Sequence, residues 1–141
     1  MNKKIFWLNI IVLAFFILDR VLKEVALKGF AVRALFLEFS YFPNPNIALG
    51  IPLRGFLLYF LLTIVILTVA AMLYKSYKKE KMIEVFSWTM ILVGTFSNLL
   101  DRFKYGLVID YFNLSFFTVL NLADVAISLG VIILIWRLTA D

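Results

Sequence analysis

The chain of 141 residues contains no cysteine and no histidine. The first absence excludes disulfides, thiol nucleophiles and thiolate metal sites. The second removes the usual general base near neutral pH and the commonest metal ligand. Acid–base work must then fall to Asp, Glu, Lys or Tyr, and with so few carboxylates neither a metal nor another cofactor is expected. Charged residues make up only 16% of the chain, against about 25% in ordinary soluble proteins.

Apolar residues fill the gap. They reach 64%, with a mean hydropathy of +0.99, and point to an integral membrane protein of one domain spanning residues 1–141. The net charge of +5 does not imply nucleic-acid binding, because no basic stripe with interleaved aromatics appears. The cations lie beside apolar runs, as the positive-inside bias requires.

Four apolar segments predict helices at about 5–26, 56–74, 84–102 and 122–138, since a span needs about 20 residues. The expected fold class is an all-α membrane protein: four transmembrane helices with a small extracytoplasmic β-sheet. The start imitates a secretory leader, with Lys3 and Lys4 before an apolar run. Asp19, Arg20, Lys23 and Glu24 follow in place of a small-residue cleavage site, so an uncleaved first helix is expected. Lys3, Lys4, Lys75, Lys78, Lys79, Lys81 and Arg137 fall on one side of a four-crossing chain. That side should be cytoplasmic, with both termini.

The two outer links, 31–42 and 107–120, are aromatic and partly alternating, which suggests strands. Pro43, Asn44, Pro45 and Asn46 read as a loop, because proline disfavours helix before it. Tyrosines and tryptophans read as interfacial belt residues, and Asp141 as inert. This topology carries Asp19, Asp101, Asp110 and Asp124 to one membrane surface, where carboxylates beside an apolar core mark chemistry or a charged path.

Each of these residues also admits a plainer role. Gly94, Asn98, Asp101 and Arg102 share one helical stripe, which could be packing with a terminal Asp101–Arg102 pair. Gly94, Thr95 and Ser97 are small enough to admit a close neighbouring helix. Asn121 is an N-cap candidate and Asp124 lies in the first turn after it, where the helix dipole favours an anion. Asp110 interrupts an apolar strand-like run, where a lone charge is costly without a partner. Asp19 and Lys23 form an i,i+4 pair more in keeping with structure than catalysis. Asn44 could be a simple turn residue.

Two carboxylates held close together share a proton near neutral pH. One can then take a proton from water while the other, protonated, hydrogen-bonds a scissile carbonyl. Nearby asparagine amides can steady the oxyanion. The dipole of the fourth helix favours Asp124 as the base, leaving the shared proton on Asp110. The alternative is a small transporter or proton-path protein using the acidic cluster, although the carboxylates gather at one end rather than through the membrane depth.

Five segments resemble the lipoprotein signal peptidase (signal peptidase II) family. They are Asp19 with Lys23, Asn44 through Gly50, Ser97 through Arg102, Val108 through Phe112, and Asn121 through Asp124. The resemblance implies a membrane aspartic endopeptidase with Asp110 and Asp124 as the catalytic pair. It implies that Asn44, Asn98, Asp101, Arg102 and Asn121 support the site, and that Asp19 and Lys23 face substrate or hold structure. It further implies a prolipoprotein substrate bearing a diacylglyceryl cysteine, cut just before that cysteine at the outer face of the bacterial inner membrane. Membrane lipid and the inhibitor globomycin are the other partners it implies. Two positions depart from the family pattern: Asn46 and Ser97 stand where glycine is usual. The link from Asp110 to Asp124 is also short for the family, which bears on the shape of the outer loop.

Overall fold

The computed structural model describes residues 3–47, 51, 53, 55–115 and 118–140. Four helices carry the fold: α1 (Lys3–Leu27), α2 (Gly55–Lys78), α3 (Met82–Tyr105) and α4 (Leu122–Ala140). Four short strands, β1 (Val32–Ala34), β2 (Leu37–Asn44), β3 (Val108–Leu114) and β4 (Thr118–Leu120), form one antiparallel sheet in the order β1-β2-β3-β4. The segment Asn44–Gly50 lies partly outside the described residues, which stop at Ile47 and resume at Ile51.

Helix α3 ends where Gly106 adopts a left-handed φ of 74° and donates its N–H to the Arg102 carbonyl, the usual glycine-terminated helix end. The chain turns directly into β3. Its Val108, Ile109, Asp110 and Tyr111 are all buried.

One expectation is corrected in β2. Pro43 and Asn44 are not loop but the end of the strand, facing Ile109 and Val108 of β3. Strand β1 covers β2 only from Leu37 to Phe39, and the register shifts between Phe39 and Phe42. Among the described residues no strand pairs with β2 on the β1 side beyond that bulge, where a proline is tolerated. Asn44 is thereby delivered opposite β3.

Helices α3 and α4 pack closely at two glycines. A Cβ on Gly94 would lie 2.5 Å from the Ala123 carbonyl oxygen, and one on Gly130 would lie 2.7 Å from the Ser87 carbonyl oxygen. Val12, Met90 and Ala126 join α1, α3 and α4 in one apolar cluster. Ala26, Phe39 and Tyr111 join the end of α1 to the sheet in another.

The distribution of polarity is inverted relative to a soluble protein. Trp7 and Leu13 on α1, Phe56 and Leu67 on α2, and Ile132 and Trp136 on α4 are exposed. Asp19, Lys23, Ser97, Asn98, Asp101, Asp110 and Asn121 are buried. Among the described residues, α2 and α3 are long and apolar enough to cross a membrane.

Candidate active site

The buried polar residues form one connected cluster where α1, α3, α4 and the sheet meet. Asn121 stands at its centre. Its side-chain nitrogen donates to Asp110 Oδ1 at 2.6 Å, and also lies 3.2 Å from Asn98 Oδ1 and 3.3 Å from the Ile109 carbonyl. Its side-chain oxygen accepts the backbone N–H of Asp124 at 2.9 Å, while Asp124 Oδ2 accepts the Asn121 N–H at 3.3 Å. This reciprocal cap starts α4. Asn121 is thus both the helix cap and the connector between the two carboxylates.

Asp110 projects from β3 and receives a second hydrogen bond, from the Asn44 amide to Oδ2 at 2.8 Å. Asn44 is held in turn by the Asn46 N–H on its side-chain oxygen at 3.0 Å. Burial pushes the Asp110 carboxyl up from its ordinary 3.8 to about 6, helped by the negative charge of Asp124 and opposed by the amides of Asn44 and Asn121. Only the neutral form escapes the desolvation cost.

Asp124 is half-buried. Its Oδ1 accepts the Asn98 amide at 2.8 Å. The orientation of Asn98 follows from Lys23, whose ammonium donates to Asn98 Oδ1 at 3.0 Å. Lys23 Nζ also contacts Asp101 Oδ2 at 2.7 Å and Asp19 Oδ2 at 3.1 Å. Three donors therefore meet three acceptors, all of them on buried residues. Among the described residues, no buried side-chain nitrogen or oxygen lacks a partner, the condition a buried polar network must meet.

Asp19 is saturated as well. Its Oδ1 accepts the Tyr111 hydroxyl at 2.9 Å and the Ala123 N–H at 3.2 Å, and its Oδ2 accepts the Ser97 hydroxyl at 2.6 Å. The Asp19–Lys23 pair is buried. Asp101 does not pair with its neighbour Arg102. It takes Arg20 on Oδ1 and Lys23 on Oδ2, and also accepts the Ile109 N–H at 3.3 Å. Consecutive helical residues point about 100° apart, which separates the two. Arg102 reaches the carbonyls of Asn46 at 3.1 Å and Asn98 at 3.4 Å, at the edge of the cluster.

The nine residues singled out from the sequence thus occupy one region. Three others were missed. Arg20 read only as one of the charges after the first apolar run, Ser97 as a packing residue and Tyr111 as a belt tyrosine, yet Tyr111 is wholly buried. The available signal for Tyr111 was its position next to Asp110 in an apolar strand. Chemically, the arrangement offers two linked carboxyls, one of which changes charge near neutral pH, beside amide donors and a guanidinium.

The sequence model of one family, described as Signal peptidase (SPase) II, matches residues 11–140. The lipoprotein signal peptidase of Syntrophomonas wolfei is 34% identical over 134 residues, covering 89% of this chain and 87% of its own. That of Aquifex aeolicus is 33% identical over 149 residues, covering 96% and 87%. A bacterial membrane enzyme solved by the in meso method shares the fold, with a TM-score of 0.80 at 24% identity, covering 95% of this chain and 88% of that one.

Proposed function

The chain belongs to the signal peptidase II family, and from that premise we propose that it cleaves prolipoprotein signal peptides as an aspartic endopeptidase, with Asp110 and Asp124 as its catalytic pair. The observation that carries this reading is the single side chain of Asn121, which bonds Asp110 on one side and caps the turn bearing Asp124 on the other.

In this reading Asp124, the anion at the start of α4, takes a proton from water as the water oxygen bonds to the scissile carbonyl carbon. Protonated Asp110 hydrogen-bonds the carbonyl oxygen and stabilises its developing charge, keeping its own proton. The tetrahedral intermediate then loses its C–N bond, and the leaving amine takes the proton from Asp124. Asn98 holds Asp124 in place and Asn44 steadies Asp110. Arg102, at the rim, has the donors to hold a peptide backbone carbonyl, as it holds that of Asn46 here. Asp101, Asp19 and Lys23 form the charged base beneath.

The substrate proposed is a prolipoprotein whose cysteine carries a diacylglyceryl group, cut before that cysteine. All four helices expose apolar side chains, which supports four crossings of a bacterial inner membrane, both termini cytoplasmic, and the cluster at the outer face. Lipid would then contact the helices, and globomycin would compete with substrate. A transporter using the acidic cluster fits less well, because the carboxylates are tied into one end of the bundle by fixed hydrogen bonds.

The test is a gel-shift assay with purified diacylated prolipoprotein. Asp110→Asn and Asp124→Asn should each abolish cleavage while the protein stays folded and membrane-inserted. Near-normal processing by either variant would sink the assignment.

A further inference from the structure

Tyr111 is a buried hydroxyl that the proposed chemistry does not use. Its side chain has no exposed surface, and its ring packs against Phe39 and Phe112 with centroids 5.6 and 4.9 Å away. A phenylalanine would keep these ring contacts. The hydroxyl is costly to bury unless bonded. It is bonded twice: it donates to Asp19 Oδ1 and accepts the Leu122 N–H, both at 2.9 Å.

The second bond crosses from β3 to the first turn of α4. Successive strand residues face opposite ways, so Asp110 and Tyr111 reach α4 from the two faces of β3. On one face Asn121 bonds Asp110 at 2.6 Å. On the other Tyr111 holds Leu122, two residues before Asp124. Asp19 reinforces that face by accepting the Ala123 N–H at 3.2 Å. With the Asn121 attachment alone, the start of α4 could pivot about it. Two attachments on opposite faces fix both the distance and the rotation between the strand carrying Asp110 and the turn carrying Asp124.

We infer that Tyr111 is a positioning residue, its hydroxyl clamping the first turn of α4 to β3 and thereby setting how Asp110 and Asp124 face one another. The inference rests on the aspartic reading above. Burial and the adjacent Asp19 carboxylate raise the Tyr111 pKa, so the phenol keeps the proton with which it donates.

The experiment compares Tyr111→Phe with Ser87→Ala in the full-length enzyme, using diacylated prolipoprotein as substrate below both melting temperatures. Ser87 bears another buried hydroxyl, bonded to the Ile83 carbonyl at 2.8 Å in α3, with no contact to the aspartates. Tyr111→Phe is expected to lower kcat about tenfold, or about 1.4 kcal/mol of activation free energy, with KM within about twofold; Ser87→Ala should keep kcat. An unchanged kcat in Tyr111→Phe, with only a lower melting temperature, overturns the clamp, as does a rise in KM at constant kcat. Asp110→Asn, run alongside, separates the two ideas. If it is inactive while Tyr111→Phe is normal, only the clamp fails; if it remains active, the aspartic reading fails. Should Tyr111→Phe not fold, amide exchange in the unmodified enzyme decides: a protected Leu122 N–H supports the clamp, and free exchange overturns it.

Discussion

Lys23 donates to the side-chain oxygen of Asn98 at 3.0 Å, and this contact determines which way the Asn98 amide faces. An ammonium cannot accept a hydrogen bond, so the Asn98 oxygen must turn to Lys23 and its NH₂ group to Asp124. The oxygen of Asp124 that it meets must therefore accept. A lysine on α1 thus fixes Asp124 Oδ1 as an acceptor through one intervening amide.

The first prediction concerns pH. If protonated Asp110 is required, kcat/KM should fall as pH rises through its pKa of about 6, approaching a tenfold loss per pH unit. The amide of Asn44 lowers that pKa. Asn44→Ala should therefore move the alkaline limb to higher pH, even though it also slows cleavage. A pH–rate profile of both proteins measures the displacement.

The same group links folding to pH. The folded-state pKa of Asp110, about 6, lies above its ordinary 3.8, so the folded protein binds the proton more tightly. The resulting stability is complete below 3.8 and is lost as pH rises through about 6. The melting temperature in detergent should decline over that window. Asp124→Asn removes the charge that helps raise the Asp110 pKa and should flatten the decline, which tryptophan fluorescence can follow.

Removing Lys23 should be severe. Lys23→Met leaves Asp19 and Asp101 enclosed without their shared cation, a loss of about 3–5 kcal/mol for a broken buried pair. Lys28, whose contact with Glu24 at 3.7 Å lies in the open, provides the contrast. Lys28→Ala should leave the melting temperature where it was.

The two close-packed glycines should respond differently. Gly94→Ala drives a methyl group against the Ala123 carbonyl and Ile127, beside the turn that bears Asp124. It should cost about 1–3 kcal/mol of stability and most of the activity. Gly130→Ala meets Ser87 and Ile91 instead. It should cost comparable stability but much less kcat, as paired melting and turnover measurements would reveal.

The carboxylates of this site were legible because charge is rare in so apolar a chain, and each of Asp19, Asp101, Asp110 and Asp124 interrupts a hydrophobic run. Asn98 and Asn121 were legible through their spacing from Asp101 and Asp124, whereas Asn44 entered the site only through the family resemblance. Partnership was not legible. Asp101 stands next to Arg102 in sequence but bonds Arg20 and Lys23, some 80 residues away, and only the packing of α1 on α3 decides that. Pro43 concealed the end of β2, because proline signals loop unless the strand edge is open, and that openness depends on the length of β1. Tyr111 was hidden by its type: tyrosine in a membrane protein is ordinarily an interface residue, and its place beside Asp110 in an apolar strand was the one sign that it is enclosed.

The contact between Asp19 and Lys23 spans a single helical turn, and so can form as soon as α1 has coiled. Asp101, Asn98 and Tyr111 are translated much later. Under the four-crossing reading, Asp19 and Lys23 thus enter the translocon already compensating each other, while Arg20 must wait for Asp101. That one pair can wait as a neutral dipole until the later helices arrive to complete the network.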